Sequence, residues 1–185
     1  MSLARRRGFT FFEIAAVFVI IGVMVALVYP QVRRTEPQAV QAQATQLRRD
    51  LESLRSRALA AGRLIRVRFD SGGRSYSWIT DVNGSLTFDA TDSSLAGPGM
   101  IGSRSLASNV RFGRAGMPAV PAFPGIGGIV LDSASITFDH RGVTFPARRR
   151  GVIYFTGTSG LGAAAVSITG AGSFRIWGAV EGSWQ

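Results

Sequence analysis

The sequence predicts an α+β protein in which a long N-terminal helix packs on an antiparallel β-sheet or sandwich. The helix is expected to be transmembrane in its first part and amphipathic in its second. Three observations carry this. Residues 9–29 form an almost unbroken apolar run. Val40, Ala44, Leu47, Leu51, Leu54 and Ala58 then recur at alternating spacings of four and three, the period of one helix face. After Gly62 every regular segment is short, alternates apolar with polar residues and is bounded by Gly- or Pro-rich turns, as strands are.

The apolar run is long enough to span lipid, since its 21 residues at a helical rise of about 1.5 Å reach roughly 30 Å. Only Thr10 and Glu13 interrupt it with clear polarity. A secretory signal has a shorter apolar core and a small-residue cleavage site beyond it, and no clear Ala-x-Ala follows here. Arg6-Arg7-Gly8-Phe9 loosely fits a twin-arginine signal, but that reading also lacks the cleavage site and leaves Glu13 without a role. The third reading is a retained anchor cut before its apolar segment. Flanking charge helps little, because Arg5–Arg7 precede the run and Arg33 and Arg34 follow it.

Glu13 favours the third reading. An ionised carboxylate in hydrocarbon costs several kcal/mol unless it snorkels to the interface or meets a cation at the same depth. A cut after Gly8 would supply that cation, the α-amine of Phe9, within the helix or from a staggered neighbour. Glu13 would then set the register of helix packing.

A basic leader, Gly8-Phe9-Thr10, Glu13 and a long apolar run together resemble the N-terminus of type IV pilins and type II secretion pseudopilins. The resemblance implies a leader at 1–8, cleavage by a prepilin peptidase between Gly8 and Phe9, N-methylation of Phe9 and an assembly role for Glu13. It implies a transmembrane or filament-core helix at 9–29, with Pro30 at a helix kink. It also implies a single-pass bacterial inner-membrane protein with its globular domain in the periplasm. Partners would be other pilins or pseudopilins, the prepilin peptidase, membrane lipid and a secretion or pilus assembly platform. Phe11-Phe12 stands where the family usually carries Leu-Ile or Leu-Leu.

Residues 30–62 read as an amphipathic continuation of the helix, with a bend or local melt expected over 30–37, where Pro30 and Pro37 each remove a hydrogen bond. Gly62 reads as the helix stop. Residues 63–185 form the expected β-rich domain. Ile65, Val67 and Phe69 should face one side of the first strand, with Arg66 and Arg68 on the other. A turn at 71–74 leads to a strand at 76–80 and a third at 85–90; residues 92–103 and 113–129 read as loops. Further strands are expected at 134–139, 142–145, 151–156, 163–168 and 173–180. The segments "LRSRALAAGRLIRVRF", "SITFDHRGVTFPARRRGVIYF" and "AAAVSITGAGSFRIWG" are similar to GspH/FimT-type minor pilins and pseudopilins. The 113–129 loop matches nothing in that pattern.

Composition restricts the chemistry. There is no cysteine and a single histidine, so thiolate metal sites, cysteine nucleophiles and His-pair metal sites are excluded. No cofactor is expected and no catalytic constellation emerges. Asp139-His140 reads as a solvated strand end, and Gly157-Thr158-Ser159-Gly160 as a hairpin turn. Trp177 on its strand is expected in the core. The formal charge is +10 and all 21 basic residues are arginine. Arg148, Arg149 and Arg150, with Arg141 nearby, read first as a solvated loop; the alternative is an anion or DNA contact tracking phosphates. FimT-type DNA binders carry such arginines near the chain end, where this chain has Arg175 alone. The expected function is a minor pseudopilin, a structural subunit rather than an enzyme; the alternative is a DNA-binding minor pilin of a competence pilus.

Overall fold

The computed structural model describes residues 11–131, 133–146, 149–180 and 182–185, with the side chains of 25–35 outside that description. The chain divides into two compact units, Met1–Thr35 and Glu36–Gln185.

Helix α1 runs over Phe11–Ala61. It continues through 30–37, so the local melt expected there does not occur. Proline's fixed φ is itself helical, and the lost hydrogen bond does not end the helix. The helix stops where expected: Gly62 takes φ +63° and Arg63 N–H reaches back to the Ala58 carbonyl at 3.2 Å. That is a Schellman closure, which favours a residue without Cβ.

The rest of the second unit is built from β1 (Ile65–Asp70), β2 (Ser75–Thr80), a short helix α2 (Ala90–Leu95), β3 (Ile101–Ser105), β4 (Val110–Phe112), β5 (Ile129–Val130), β6 (Ser135–Phe138), β7 (Gly151–Gly157), β8 (Ala163–Ile168), β9 (Phe174–Val180) and β10 (Ser183–Trp184). One antiparallel sheet has the order β3-β2-β1-β6. A second, six-stranded, runs β10-β9-β8-β7-β4, with β5 also paired to β7.

Val40, Ala44, Leu47, Leu51, Leu54 and Ala58 are each at most 3% exposed. They share one core with Ile65, Val67 and Phe69 of β1, Ile136 and Phe138 of β6, and Ile153, Phe155, Val166 and Ile168 of the larger sheet. The stripe thus faces the inner sides of both sheets. The alternation read in β1 holds, with Arg66 and Arg68 on the opposite face from the core. Asp50 adds a polar clamp, accepting from the Tyr76 hydroxyl at 2.5 Å and Gln46 Nε2 at 2.8 Å, with Arg104 Nε 2.9 Å away.

Several expectations fail. Residues 85–90 are not a strand: Asp89 caps α2, closing a capping box with Asp92. The elements after Gly62 are therefore not all strands. Residues 92–103 are not simply a loop, because they hold the end of α2 and the start of β3. Residues 142–145 contribute one isolated bridge, Phe138 to Thr144, instead of a strand. The 113–128 stretch carries no strand but has a packing role. Val120 and Phe123 join a second apolar cluster with Val152, Tyr154, Ala165, Trp177 and Trp184. Val120 N–H donates to the Tyr154 hydroxyl at 2.9 Å, and Trp184 Nε1 donates to the Pro118 carbonyl at 2.8 Å. The stretch is a strap over the outer face of the larger sheet.

Candidate functional site

The described part of the N-terminal apolar run, residues 11–24, exposes apolar side chains all round. Phe11, Phe12, Phe18 and Val19 are each at least 66% exposed, and Ile14, Val17, Ile20, Ile21, Val23 and Met24 about half exposed or more. At 3.6 residues per turn these positions sample every direction about the axis. Such a surface calls for lipid or other apolar helices. Glu13 lies exposed within it. Gly8 and Phe9 lie outside the described residues, and so does the side chain of Pro30. Among the described residues no helix is long and apolar enough to cross a membrane; the span expected at 9–29 extends beyond 11–24 on both sides.

The arginine candidates do not share one surface. Arg141 is held by Asp139, whose Oδ2 receives Nε at 3.0 Å and Nη2 at 2.9 Å. Arg148 lies outside the described residues. Arg149 lines a trough on the outer face of the four-stranded sheet, its Nη1 3.5 Å from Ser133 Oγ. Arg150 lines a smaller depression beside Phe123 and Ile126. Their neighbours in sequence also need correcting. Asp139 is not solvated but 3% exposed. Burial works against its charged form, yet backbone and side-chain hydrogen bonds from Arg141 and the Val143 N–H hold its carboxyl below the ordinary value. His140 is exposed, as read. Trp177 is half-buried at the edge of the second cluster; it donates to Ser167 Oγ at 2.9 Å and lies under the Arg175 guanidinium at 3.8 Å.

Sequence reading missed two buried acids that fold the 81–92 loop. Asp81 accepts from the backbone N–H groups of Gly84, Ser85 and Leu86. Asp92 accepts from Val82 at 2.8 Å and Asp89 at 3.1 Å. Burial would raise the Asp92 pKa, but the N–H donors of Asp89, Val82 and Asn83 outweigh it and hold the carboxyl below its ordinary value. The signal was present as Asp89-x-x-Asp92, an acidic version of the capping box. Among the described residues no group of three or more His, Cys, Asp or Glu could hold a metal ion.

The chain is similar to minor pilin-like subunits of known structure. One is the minor pseudopilin EpsH from the type 2 secretion system of Vibrio cholerae, at 13% identity and a TM-score of 0.49, over 75% of this chain and 96% of that one. Another is the type IV minor pilin FimU of Pseudomonas aeruginosa, at 19% identity and a TM-score of 0.47, over 79% and 92% of the two chains. No protein-family model and no curated protein matches the chain.

Proposed function

We propose that this chain is a pilin-like filament subunit, a minor pseudopilin of a type II secretion pseudopilus or of a type IV pilus-like filament. The observation that carries the reading is the helix surface at 11–24, apolar on all sides, holding one carboxylate and continuous in sequence with a stripe buried beneath two sheets. In this reading a prepilin peptidase cuts between Gly8 and Phe9 and Phe9 is methylated. The apolar segment resides in the inner membrane until an assembly platform transfers it to a filament core, with the β-rich domain periplasmic. The work is assembly, not catalysis.

Glu13 pairs with the α-amine of Phe9 on a neighbouring subunit. In the apolar core that pair is far less screened than in water, so losing one partner is costly. Glu13→Ala should leave leader cleavage largely intact and reduce subunit recovery in sheared filaments several-fold. Wild-type recovery of that variant would show that the carboxylate merely snorkels. The DNA-uptake alternative draws less support, because Arg141 is engaged by Asp139 and Arg149 and Arg150 line separate depressions.

A further inference from the structure

The four-stranded sheet turns one face to the core and the other outward. The outward face is a trough of about 980 Å³. Its floor follows from strand register. Arg68 lies opposite Ser77 on one side and Ser135 on the other, and Ser77 lies opposite Ser103. One row across the sheet is therefore three serines and a guanidinium. In the next row on the same face Arg66 lies opposite Ile79 and Thr137, and Ile79 opposite Ile101. Two residues apart on one strand, Arg66 and Arg68 are spaced about 6.6 Å along it.

The rest of the lining is mixed: Asp89, Ser93, Ser133 and Arg149 stand beside apolar groups, and the Asp89 carboxylate already accepts from the Thr91 and Asp92 N–H groups at the start of α2. Leu86 and Phe88 rise on one side, on the loop that Asp81 and Asp92 fold from within. Phe145 stands on the other, 43% exposed. The Arg66 guanidinium stacks on the Phe88 ring at 4.0 Å, which fixes its position over the floor. Arg66 is depressed below its ordinary pKa by burial and by the charges of Arg68 and Arg149, a repulsion that a bound anion would relieve.

We infer that this trough binds an extended acidic segment of another protein, its carboxylates on Arg66, Arg68 and the flanking serines, and its apolar side chains against Ile79, Ile101 and Phe145. An extended chain repeats same-side residues at the spacing of the two arginines, so acidic residues two apart match them. Guanidinium–carboxylate hydrogen bonds are charge-assisted and directional. The apolar row beside the polar one suits a peptide that alternates the two kinds of side chain. The occupant is not a second copy of this chain, whose net charge, +10 in full and about +7 once Arg5–Arg7 leave with the leader, opposes its docking on a basic floor. Nor does the floor suit bases, since the face of Phe88 is already covered by Arg66.

The test uses the full chain in uncharged detergent micelles near physiological ionic strength. Three fluorescein-labelled probes are titrated by anisotropy: a decapeptide of alternating Glu and Leu, its Gln/Leu counterpart, and a ten-residue oligothymidylate. The Glu/Leu peptide should bind more tightly than either of the others. Arg68→Gln should weaken it by about tenfold and Arg68→Glu further, the loss of a charge-assisted contact. Arg49→Gln and Arg111→Gln, which remove an exposed charge elsewhere, should change it less than about twofold. Arg68 is exposed, so its variants should keep the wild-type circular dichroism and melting temperature. Equal losses from Arg68→Gln and Arg111→Gln would mean diffuse attraction and overturn the proposal. So would failure of the Glu/Leu peptide to bind, or Arg68-dependent binding of the oligothymidylate above that of the peptide.

Discussion

Asp50 ties helix α1 to two strands, and its removal is a quantitative test of how the helix is held. The Tyr76 hydroxyl, on a residue only 1% exposed, donates to Asp50 Oδ2 at 2.5 Å. Burial, then the hydrogen bond to Asp50 and its charge, push the phenol pKa well above the ordinary 10. Asp50→Ala leaves that hydroxyl buried without a partner, a cost of about 1–3 kcal/mol. Arg104 is nearly half exposed, so losing its ion pair adds only about 0–1 kcal/mol. The expected total is about 1–4 kcal/mol. Tyr76→Phe removes the donor but leaves Asp50 its contacts with Arg104 and Gln46, for about 1.5–3 kcal/mol. In the double variant the orphaned hydroxyl is gone, so its cost should fall short of the sum by about 1–3 kcal/mol. The assay is urea unfolding followed by tryptophan fluorescence on a fragment of residues 35–185, which keeps the whole of the main core. An unchanged m-value would show that only stability moved. Additivity within about 0.5 kcal/mol would refute the clamp as an energetic unit.

Other expected outcomes follow from the same geometry. Leu51→Ala empties a fully buried position between helix and sheets and should cost about 2–5 kcal/mol, read as a lower melting temperature of the same fragment. Asp92 and Asp139 have carboxyls held below their ordinary pKa of 3.8. Their contribution is fully present above that value and lost as pH falls through the depressed folded values. Unfolding measured from pH 6 downward should show stability falling below about pH 4, and Asp92→Asn should be less stable at pH 6 and flatten the decline. The mature chain from cells carrying the peptidase should begin with N-methyl-Phe9, by intact mass; a start beyond residue 30 would return the apolar run to a signal-peptide role.

The helix and its buried face were legible because a stripe at spacings of three and four is a local pattern. All six stripe residues lie in the core. The alternation of Ile65, Val67 and Phe69 placed β1 for the same reason. Residues 85–90 misled because Leu86 and Phe88 alternate like a strand, while the buried side chains of Asp81 and Asp92 take the backbone N–H groups that a ladder would use. Strands β4, β5 and β10 have two or three residues, too few for any period to show. The arginine trough was half legible. Arg66 and Arg68 were read onto one side of a strand, but their serine neighbours come from β2 and β6, and that adjacency exists only once the strands pair. The strap was illegible, since Val120 meets Tyr154 across 34 residues.

The borders of the larger sheet limit pairing with a strand from any other chain. Along β7 the neighbouring strand is broken into β4 and β5, three residues and two, with the strap leaving one and returning to the other. The far border is β10, two residues long. A foreign strand would find a template of two or three residues at β4, β5 or β10, and at the far border also the outer edge of β9 over Phe174–Trp177, which β10 does not cover. Edge-to-edge growth is thereby frustrated, as it is in proteins that guard against fibrillar aggregation. The larger sheet thus offers another chain little unbroken edge to extend.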